Sequence, residues 1–300
     1  MAGSVENKRI LISGASGFIG QHVVDALLRR SVSNDRIFCL TTQKRINSSL
    51  QWVVCDLSNY SQVESVLTTI KPHIVIHLAW YVKPNKFWTS KENIHWVFHT
   101  INLFENFIKN NGEIFINAGS IAEYDLSKEL LENTLPNTLY GNSKFTLRRL
   151  LYSLKDVYKV SCKIIWPQIG WLFGENEPKE KLFSTIFNRL MFNQSIFLNR
   201  PNIELPYLHI KHVSNAIVEC INCNSDCIFP LIATNTVSLE NVVKEIALFL
   251  KKPYNIHYKE FPCIKKYVFK IDAIPNNIKK HLKADFKKDL KEFLNYIKLK

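Results

Sequence analysis

The sequence lacks long hydrophobic runs, and it is poor in glycine and proline. With 9 Gly and 11 Pro in 300 residues it is neither collagen-like nor low in complexity. No apolar run reaches the roughly 18 residues that a membrane-spanning helix needs. The opening residues, MAGSVENKR, contain no apolar segment of the kind found in secretory signals. We therefore expect a cytoplasmic protein without a membrane partner.

Nucleic-acid-binding motifs are also missing, although the net charge is +13. No zinc-finger pattern, aromatic RNA-binding motif or basic region with heptads accompanies that charge. Residues 265–300 hold 11 Lys against 4 acidic residues, and KADFKKDLKEFLNYI places Lys and large apolar residues at helical spacing. A solvated helix face explains this pattern. We expect no nucleic-acid partner, and an anionic small-molecule substrate suits a basic protein equally well.

The cysteines give no clear disulfide or metal pattern. Seven is an odd number, and without a secretory signal a disulfide framework is not expected. Cys220, Cys223 and Cys227 could supply three zinc ligands, but zinc usually takes four and no second CxxC exists. Three further cysteines fall in apolar strand-like runs: Cys39, Cys55 and Cys162. We predict reduced thiols and no metal site.

Short apolar runs alternate with amphipathic segments through the first half. The strand-like runs are 9–13, 37–40, 52–54, 73–79, 113–118 and 160–166. Helical patterns follow the first glycine-rich loop, cover 60–69 and 90–110, and begin again near Tyr140. This alternation predicts an α/β fold with a doubly wound parallel sheet. Beyond about residue 170 the regularity fades.

The segment GASGFIG, residues 14–20, follows the first strand and opens a helix. In this GxxGxxG spacing Gly14 permits the tight turn, Gly17 lets a pyrophosphate approach, and Gly20 allows close helix–strand packing. The helix N-terminus then offers free N–H groups to the phosphates. We predict a Rossmann NAD(P)-binding domain over 1–170. Residues 171–300 form a mainly substrate-binding region, with some segments returning to the first domain.

The end of the second strand, CLTTQKR, bears on the choice of dinucleotide. Thr41 and Thr42 supply no carboxylate for the 2′-hydroxyl of NAD, whereas Lys44 and Arg45 could accommodate the 2′-phosphate of NADP. This favours NADP(H) over NAD(H); the alternative is that both basic residues only solvate a loop. Asp56 could hydrogen-bond the adenine, or it could cap the next helix.

A Tyr-x-x-x-Lys pattern occurs four times, starting at Tyr124, Tyr140, Tyr207 and Tyr296. Because Lys is abundant, the pattern by itself carries little weight. Together with GxxGxxG, HLAW at 77–80 and Ser120 after the fifth strand, it resembles the extended short-chain dehydrogenase/reductase family. The nearest branch is the NAD-dependent epimerase/dehydratase family, whose members remodel nucleotide-linked sugars.

This resemblance implies a catalytic set of Ser120, Tyr140 and Lys144, because the family's tyrosine opens the helix after the serine. Tyr140 would protonate a carbonyl oxygen as hydride arrives, Ser120 would hold that oxygen, and Lys144 would bind the nicotinamide ribose. Lys144 and the oxidised nicotinamide are expected to lower the pKa of Tyr140. Further cofactor contacts are expected at Ser16, Phe18, Ile19, Leu57, Leu78 and Ala79. Substrate contacts are expected at Trp80, Ser120, Glu123, Tyr124, Lys181 and Arg189.

Some neighbours of these residues have alternative roles. Glu123 could equally be structural, and Asn93 matches a family residue with a structural or proton-relay role. Family dehydratases carry Asp and Glu where this chain has Ile121 and Ala122. Enzymes resembling GDP-fucose synthase use a Cys at the second of these positions and a downstream His, near Lys181 here. Dehydration and carbon-acid epimerisation are therefore disfavoured.

What remains is reduction of a C4 ketone on a nucleotide-activated 4-keto-6-deoxy sugar, hexose or heptose, with NADP as cofactor, for surface polysaccharide synthesis. One alternative is a nucleotide-sugar epimerase with tightly bound NAD. Another is a non-catalytic NADP-binding regulator.

The downstream half departs from the family. The usual Arg before the sixth-strand loop is Gln168, and the RDF…VxD motif reads LPYLHIKH at 205–212. The partner of the nucleotide phosphates stays open among His209, Lys211, Arg189 and Arg200. The resemblance also implies a homodimer formed by helices at 90–110 and 140–157.

Overall fold

The structure is a computed structural model that describes residues 7–44, 50–128, 131, 133–199, 202–258, 267–269 and 274–299. At its centre lies a parallel sheet in the order β3-β2-β1-β4-β5-β7-β12. The strands are β1 (Ile10–Ser13), β2 (Ile37–Thr41), β3 (Gln51–Val54), β4 (Ile74–His77), β5 (Ile114–Asn117), β6 (Gly119–Ser120), β7 (Lys163–Ile169), β8 (Leu172–Phe173), β9 (Ile196–Leu198), β10 (Glu204–Leu205), β11 (Leu208–His209), β12 (Cys227–Leu231), β13 (Val237–Ser238) and β14 (Ile256–Tyr258). All six predicted strands overlap observed ones, and the predicted fold class is confirmed.

Helices cover both faces of the sheet. They are α1 (Phe18–Leu28), α2 (Tyr60–Ile70), α3 (Glu92–Lys109), α4 (Leu139–Tyr158), α5 (Leu182–Met191), α6 (Ile210–Glu219), α7 (Leu239–Leu250), α8 (Asn276–Leu282) and α9 (Phe286–Lys298). One apolar core lies under α1, α6 and α8, and a second lies under α2, α3 and α4. None of the helices in these described ranges is long and apolar enough to cross a bilayer.

The strands at the centre of the sheet are buried along their whole length. β1 and β4 have no exposed position, which parallel strands show when helices pack on both faces. Their register pairs Ser13 with His77, and the next strand pairs His77 with Asn117. These polar residues form a row at the carboxyl ends of three neighbouring strands. In a doubly wound sheet this edge is where ligands bind.

The second half is more regular than the sequence predicted. α6, β12 and α7 follow one another between residues 210 and 250, and β12 pairs with β7 from Cys227 opposite Ile165 to Leu231 opposite Ile169. A third apolar core joins α5, α7 and α9. The sequence pattern fades here because several of the strands, such as β8 and β10, are only two residues long.

Candidate active site

The glycine-rich turn packs so closely that side chains would not fit. Gly14 has φ of 71°, and a Cβ there would lie 2.7 Å from the backbone nitrogen of Ala79. At Gly20 a Cβ would lie 2.0 Å from the carbonyl oxygen of Gly14. Gly17 precedes α1 without a side-chain cap, so the first amides of the helix keep free N–H donors. This cradle fits the diphosphate of a dinucleotide.

Several predicted cofactor contacts line this turn or the neighbouring strand ends. Ser16 and Gly17 are exposed, Phe18 and Ile19 are half-buried, and Leu57 is buried after β3. Leu78 donates its backbone N–H to the carbonyl of Ser13 at 3.1 Å. The turn and the loop that follows β4 therefore form one continuous edge.

At the end of β2 the side chains are polar and carry no carboxylate. Thr41 is half-buried and donates its hydroxyl to the carbonyl of Gln43 at 3.0 Å, while Lys44 is exposed. Arg45, the second predicted phosphate contact, lies outside the described residues. Asp56 is exposed and accepts from the backbone N–H of Ser58 at 2.9 Å.

The alternative that Asp56 caps the next helix is wrong. The side chain of Asn59 caps α2 by accepting from the backbone of Gln62 at 3.1 Å. The Asp56 hydrogen bonds to Ser58 are local and lower the pKa of its carboxyl, so the group stays ionised at the surface.

A buried histidine at the end of β4, which sequence reasoning missed, connects β1 to α3. His77 Nδ1 lies 2.6 Å from the hydroxyl of Ser13, and Nε2 lies 2.9 Å from that of Thr100. Thr100 donates its own proton to the carbonyl of Trp96, so His77 Nε2 is the donor to Thr100 and Nδ1 accepts from Ser13. Burial, then the charge of Lys144, lowers the pKa of His77 to about 3. His77 is the first residue of the HLAW motif, so this motif was the sequence pattern from which its role could have been predicted.

Trp80 lies beneath the predicted catalytic residues instead of facing a substrate. It is 9% exposed, and its indole N–H donates to Asn93 Oδ1 at 2.8 Å. The amide of Asn93 donates to the carbonyls of Phe87 and Ser90 at 2.6 and 2.9 Å. Asn93 thus holds the loop that packs against Tyr140, which agrees with the structural alternative for this residue. The predicted substrate contact at Trp80 is not supported, because the ring is covered.

Tyr140 opens α4 inside a set of aromatic rings. The ring of Phe87 stands perpendicular to it at 4.9 Å, and that of Trp88 at 5.8 Å. The hydroxyl of Ser120 lies near enough to the phenol to lower its pKa. Ser120 itself is buried, and its hydroxyl accepts from the backbone N–H of Ala122 at 3.1 Å. The structure therefore brings together the two hydroxyls that the sequence predicted to act on one carbonyl oxygen.

Lys144 lies one helical turn after Tyr140 and is 3% exposed. Its ammonium donates to the carbonyl of Ala118 at 2.9 Å and lies 3.6 Å from the centre of the Trp80 ring. Burial lowers the pKa of Lys144 to about 7, against the charge of Glu123, which raises it. The amine is poised between its two protonation states near neutral pH.

The expected lowering of the Tyr140 pKa does not appear in the protein by itself. The pKa of Tyr140 is raised to about 12, mainly by burial; the hydroxyl of Ser120 lowers this pKa, and the carboxylate of Glu123 raises it. The phenol is accordingly protonated at neutral pH, and it is a proton donor.

The buried amine predicts a pH-dependent cost in stability. The pKa of Lys144 is lower in the folded protein than in the unfolded chain. The stability that the neutral amine contributes is therefore fully present above about pH 10.5 and is lost as the pH falls towards 7. The free energy of unfolding of the wild type, relative to that of Lys144→Met, should rise by on the order of 2 kcal/mol between pH 7 and pH 9, since one pKa unit is about 1.4 kcal/mol. Urea denaturation of both proteins at the two pH values measures this. A pH-independent difference would contradict it.

Glu123 is buried within the catalytic loop, with 1% of its surface exposed. Its Oε1 accepts from the backbone of Ser120 at 2.9 Å and from Trp166 Nε1 at 2.8 Å. Its Oε2 accepts from Arg148 Nε at 2.8 Å and from Gln168 Nε2 at 3.2 Å. Both oxygens are used inside the protein, so the predicted substrate contact is not supported and the structural alternative holds.

Tyr124 faces a cluster of aromatic side chains from the second half of the chain. Its hydroxyl donates to Gln168 Oε1 at 2.7 Å, and its ring stands edge-on to Phe269 at 6.2 Å. Beyond it, Trp171 stacks on Tyr267 at 5.3 Å. The Tyr124–Lys128 pair therefore does not reproduce the arrangement of Tyr140 and Lys144.

The remaining predicted substrate residues separate in space. Lys181 lies over the ring of Phe18, 4.5 Å from its centre, so it meets the glycine-rich turn. Arg189 instead donates to the carbonyl of Ser195 at 3.0 Å and packs on Phe197. The guanidinium of Arg189 is therefore bound within the segment that directly follows α5.

The other candidates for the missing phosphate partner are occupied. His209 caps α6, accepting from the backbone of Lys211 at 3.2 Å. Lys211 pairs with Asp289 at 2.6 Å and with Glu292. Arg200 lies outside the described residues. Of the four candidates, the described three all serve the fold.

The cysteine cluster is a set of neighbouring thiols. Cys223 and Cys227 lie 3.9 Å apart through their sulfur atoms, and Cys220 bonds the carbonyl of Ala216 at 3.3 Å. Across the described ranges, no three His, Cys, Asp or Glu side chains are arranged to hold a metal ion.

A sequence model of the NAD dependent epimerase/dehydratase family matches residues 10–226. The chain belongs to this family, and the resemblance drawn from its motifs is confirmed. No curated protein matches the chain.

Solved structures of similar fold include three sugar epimerases. UDP-glucose 4-epimerase from Thermotoga maritima, solved with UDP-glucose, has a TM-score of 0.80 at 15% identity and covers 97% of this chain and 98% of its own. UDP-N-acetylglucosamine 4-epimerase from Methanobrevibacter ruminantium, in complex with UDP-N-acetylmuramic acid, has a TM-score of 0.79 at 19% identity. The match covers 97% of this chain and 98% of that protein's chain. UDP-glucose 4-epimerase from Thermus thermophilus, in complex with NAD, has a TM-score of 0.76 at 18% identity. The match covers 97% of this chain and 99% of that protein's chain.

Proposed function

We propose that this protein is an NADP-dependent reductase of the C4 ketone of a nucleotide-activated 4-keto-6-deoxy sugar, hexose or heptose, in surface polysaccharide synthesis. The observation that carries the proposal is the chemistry beside Ser120. Ile121 and Ala122 have no titratable group, and the nearby carboxylate of Glu123 is buried with both oxygens in use. A dehydratase needs an acid and a base at this place, whereas ketone reduction needs only the hydroxyls and the amine.

The residues divide the work of proton transfer. When bound, a nicotinamide dinucleotide supplies the hydride. Tyr140 donates its proton to the substrate oxygen, and Ser120 hydrogen-bonds the same oxygen and so stabilises the charge that develops on it. Lys144 holds the cofactor ribose from its place between Ala118 and Trp80. The rings of Phe87 and Trp88 pack edge-on against the ring of Tyr140 and limit its contact with water.

A C4 epimerase is the second candidate, favoured by the solved neighbours. Those proteins are named as UDP-sugar 4-epimerases, and one was solved with NAD. Epimerisation at C4 requires hydride removal and return on the two faces of a ketone, so the same three residues could serve it. The two functions differ in what happens to the cofactor, which an epimerase retains and a reductase exchanges at each turnover.

Nucleotide analysis of the desalted protein separates these candidates. For the reductase we expect no retained NAD and stoichiometric consumption of NADPH with a 4-keto sugar linked to GDP, CDP, dTDP or UDP. Retained NAD together with interconversion of C4 epimers would replace the proposal by the epimerase. An absence of both activities, with NADP bound, would favour a regulator.

Lys44 tests the cofactor preference. We expect Lys44→Glu to raise the KM for NADPH about tenfold, since one lost phosphate contact of about 1.4 kcal/mol has that effect, and to leave the KM for NADH nearly unchanged. Steady-state kinetics with both cofactors measures this. The matched control is Lys288→Glu, which makes the same change of charge at an exposed position on α9. Equal effects on both cofactors would contradict NADP selectivity.

Exposed apolar side chains favour the homodimer. Ile94 and Phe98 lie one turn apart on α3, with Leu150 and Val157 on the neighbouring helix α4. Two copies packing these helices together would cover these side chains. A monomeric mass by light scattering at micromolar concentration would rule this arrangement out.

A further inference from the structure

Glu123 joins three elements that carry or support the proposed catalytic residues. Through Oε1 it holds the backbone of Ser120, and through Oε2 it pairs with Arg148. Trp166 and Gln168 of β7 complete its four hydrogen bonds. A single carboxylate therefore connects the Ser120 loop, helix α4 and strand β7.

The pair with Arg148 sets the position of α4. Arg148 lies one helical turn after Lys144, so it projects from the same side of the helix. Its ion pair with Glu123 is at 2.8 Å, with the carboxylate side chain fully buried. Any rotation of α4 that moved Lys144 or Tyr140 relative to Ser120 would stretch this contact.

The space around the carboxylate leaves it one position. A Cβ at Gly119 would lie 2.8 Å from Glu123 Oε1 and 2.3 Å from Trp166 Nε1. The glycine next to Ser120 is thus required so that Glu123 and Trp166 can approach the backbone. The side chain has no room to turn towards a ligand.

The charge of Glu123 also acts on the reacting groups. It raises the pKa of Tyr140, in addition to burial, and it raises the pKa of Lys144 against burial. His77 of β4 also interacts with the amine: burial, then the charge of Lys144, lowers the pKa of His77, so this side chain is neutral at neutral pH.

We propose that Glu123 is a positioning residue that fixes Ser120 and α4 relative to each other, so that the hydroxyls of Ser120 and Tyr140 meet on one substrate oxygen. The inference rests on the proposed function, because it concerns the reaction that those hydroxyls serve. A residue that only supported the fold would change stability without lowering kcat in the folded protein.

The test uses a neutralised pair, Glu123→Gln with Arg148→Met, which preserves net charge. Its matched control is Asp226→Asn with Lys155→Met. Lys155 also lies on α4 and pairs with Asp226 at 2.6 Å, and Asp226 also accepts from the backbone N–H of Ile164. Steady-state kinetics of both double variants gives kcat and the KM for NADPH, and urea denaturation compares their stabilities. We expect kcat for ketone reduction to fall about 10²-fold with the Glu123 pair at a nearly unchanged KM for NADPH, since a misplacement of about 1 Å costs that much, and to fall less than about threefold with the control.

Hydrogen exchange gives a second readout that does not depend on the reaction. We expect the amides at the start of α4 to exchange faster with the Glu123 pair than in the wild type, and not with the control. Glu123→Gln alone offers the same comparison at nearly constant side-chain volume. Unchanged exchange and unchanged kcat with the Glu123 pair overturn the inference. Faster exchange in a protein that reduces no ketone supports the positioning role and overturns the proposed function.

Discussion

Tyr140→Phe should lower kcat for ketone reduction by roughly 10³-fold, since a positioned proton donor typically contributes between 10² and 10⁴. The ring keeps its perpendicular contacts with Phe87 and Trp88, and only the hydroxyl beside Ser120 is lost. The KM for NADPH should change little for the same reason. Steady-state rates, with circular dichroism to verify folding, measure the effect.

Tyr124→Phe is the matched control for this variant. It removes the hydroxyl of the Tyr-x-x-x-Lys pair that lies just after Ser120, and this hydroxyl donates to Gln168. We expect less than about a tenfold loss of kcat, consistent with one neutral hydrogen bond of about 1 kcal/mol. Equal losses in the two variants would show that the loop, and not proton donation by Tyr140, limits the rate.

Gly20→Ala should destabilise the fold by at least about 3 kcal/mol and abolish dinucleotide binding. Its Cβ would lie 2.0 Å from the carbonyl oxygen of Gly14 and 2.7 Å from the Cα of Ala15. Both are backbone atoms, so α1 would have to move away from β1, which exceeds the usual overpacking cost of about 1–3 kcal/mol. Urea denaturation gives the change in stability, and fluorescence titration with NADPH gives the binding.

Gly17→Ala separates the packing effect from the ligand effect. A Cβ at Gly17 meets its nearest neighbour, the oxygen of Gly14, at 3.2 Å, and the position is exposed. We expect a stability change of about 1 kcal/mol or less, as for other helix N-cap substitutions, together with weaker NADPH binding. Comparable destabilisation at both glycines would be inconsistent with this geometry.

The first half of the fold could be predicted because its strands are buried on both faces. Runs such as Ile10–Ser13 and Ile74–His77 are apolar throughout, or nearly so, and glycines or Pro separate them from helices. The second half was harder, since β8, β10, β11 and β13 are pairs of residues without periodicity. Their existence depends on partners far away in the chain, which a local pattern does not contain.

For the candidate site, the reacting groups could be predicted better than the residues that support them. Ser120, Tyr140 and Lys144 stand at motif spacing, whereas Glu123, Trp80 and Arg189 were assigned to a substrate by analogy. Polar residues within apolar surroundings, such as Glu123, give no indication of whether they face a pocket or the interior. That distinction requires Trp166 and Arg148, 43 and 25 residues away in the chain.

The pairing of β12 with β7 has a consequence for biosynthesis. During translation β7 emerges well before residues 227–231, so one edge of the nascent sheet stays uncovered until the chain has been made through Leu231. An uncovered parallel edge invites pairing with other chains. A fragment ending near residue 170 would keep that edge permanently, together with the apolar surface of α1 that α6 covers. Expression of the nucleotide-binding half alone should therefore yield aggregates, and a ribosome that stalls between β7 and β12 would present the chain to chaperones in the same state.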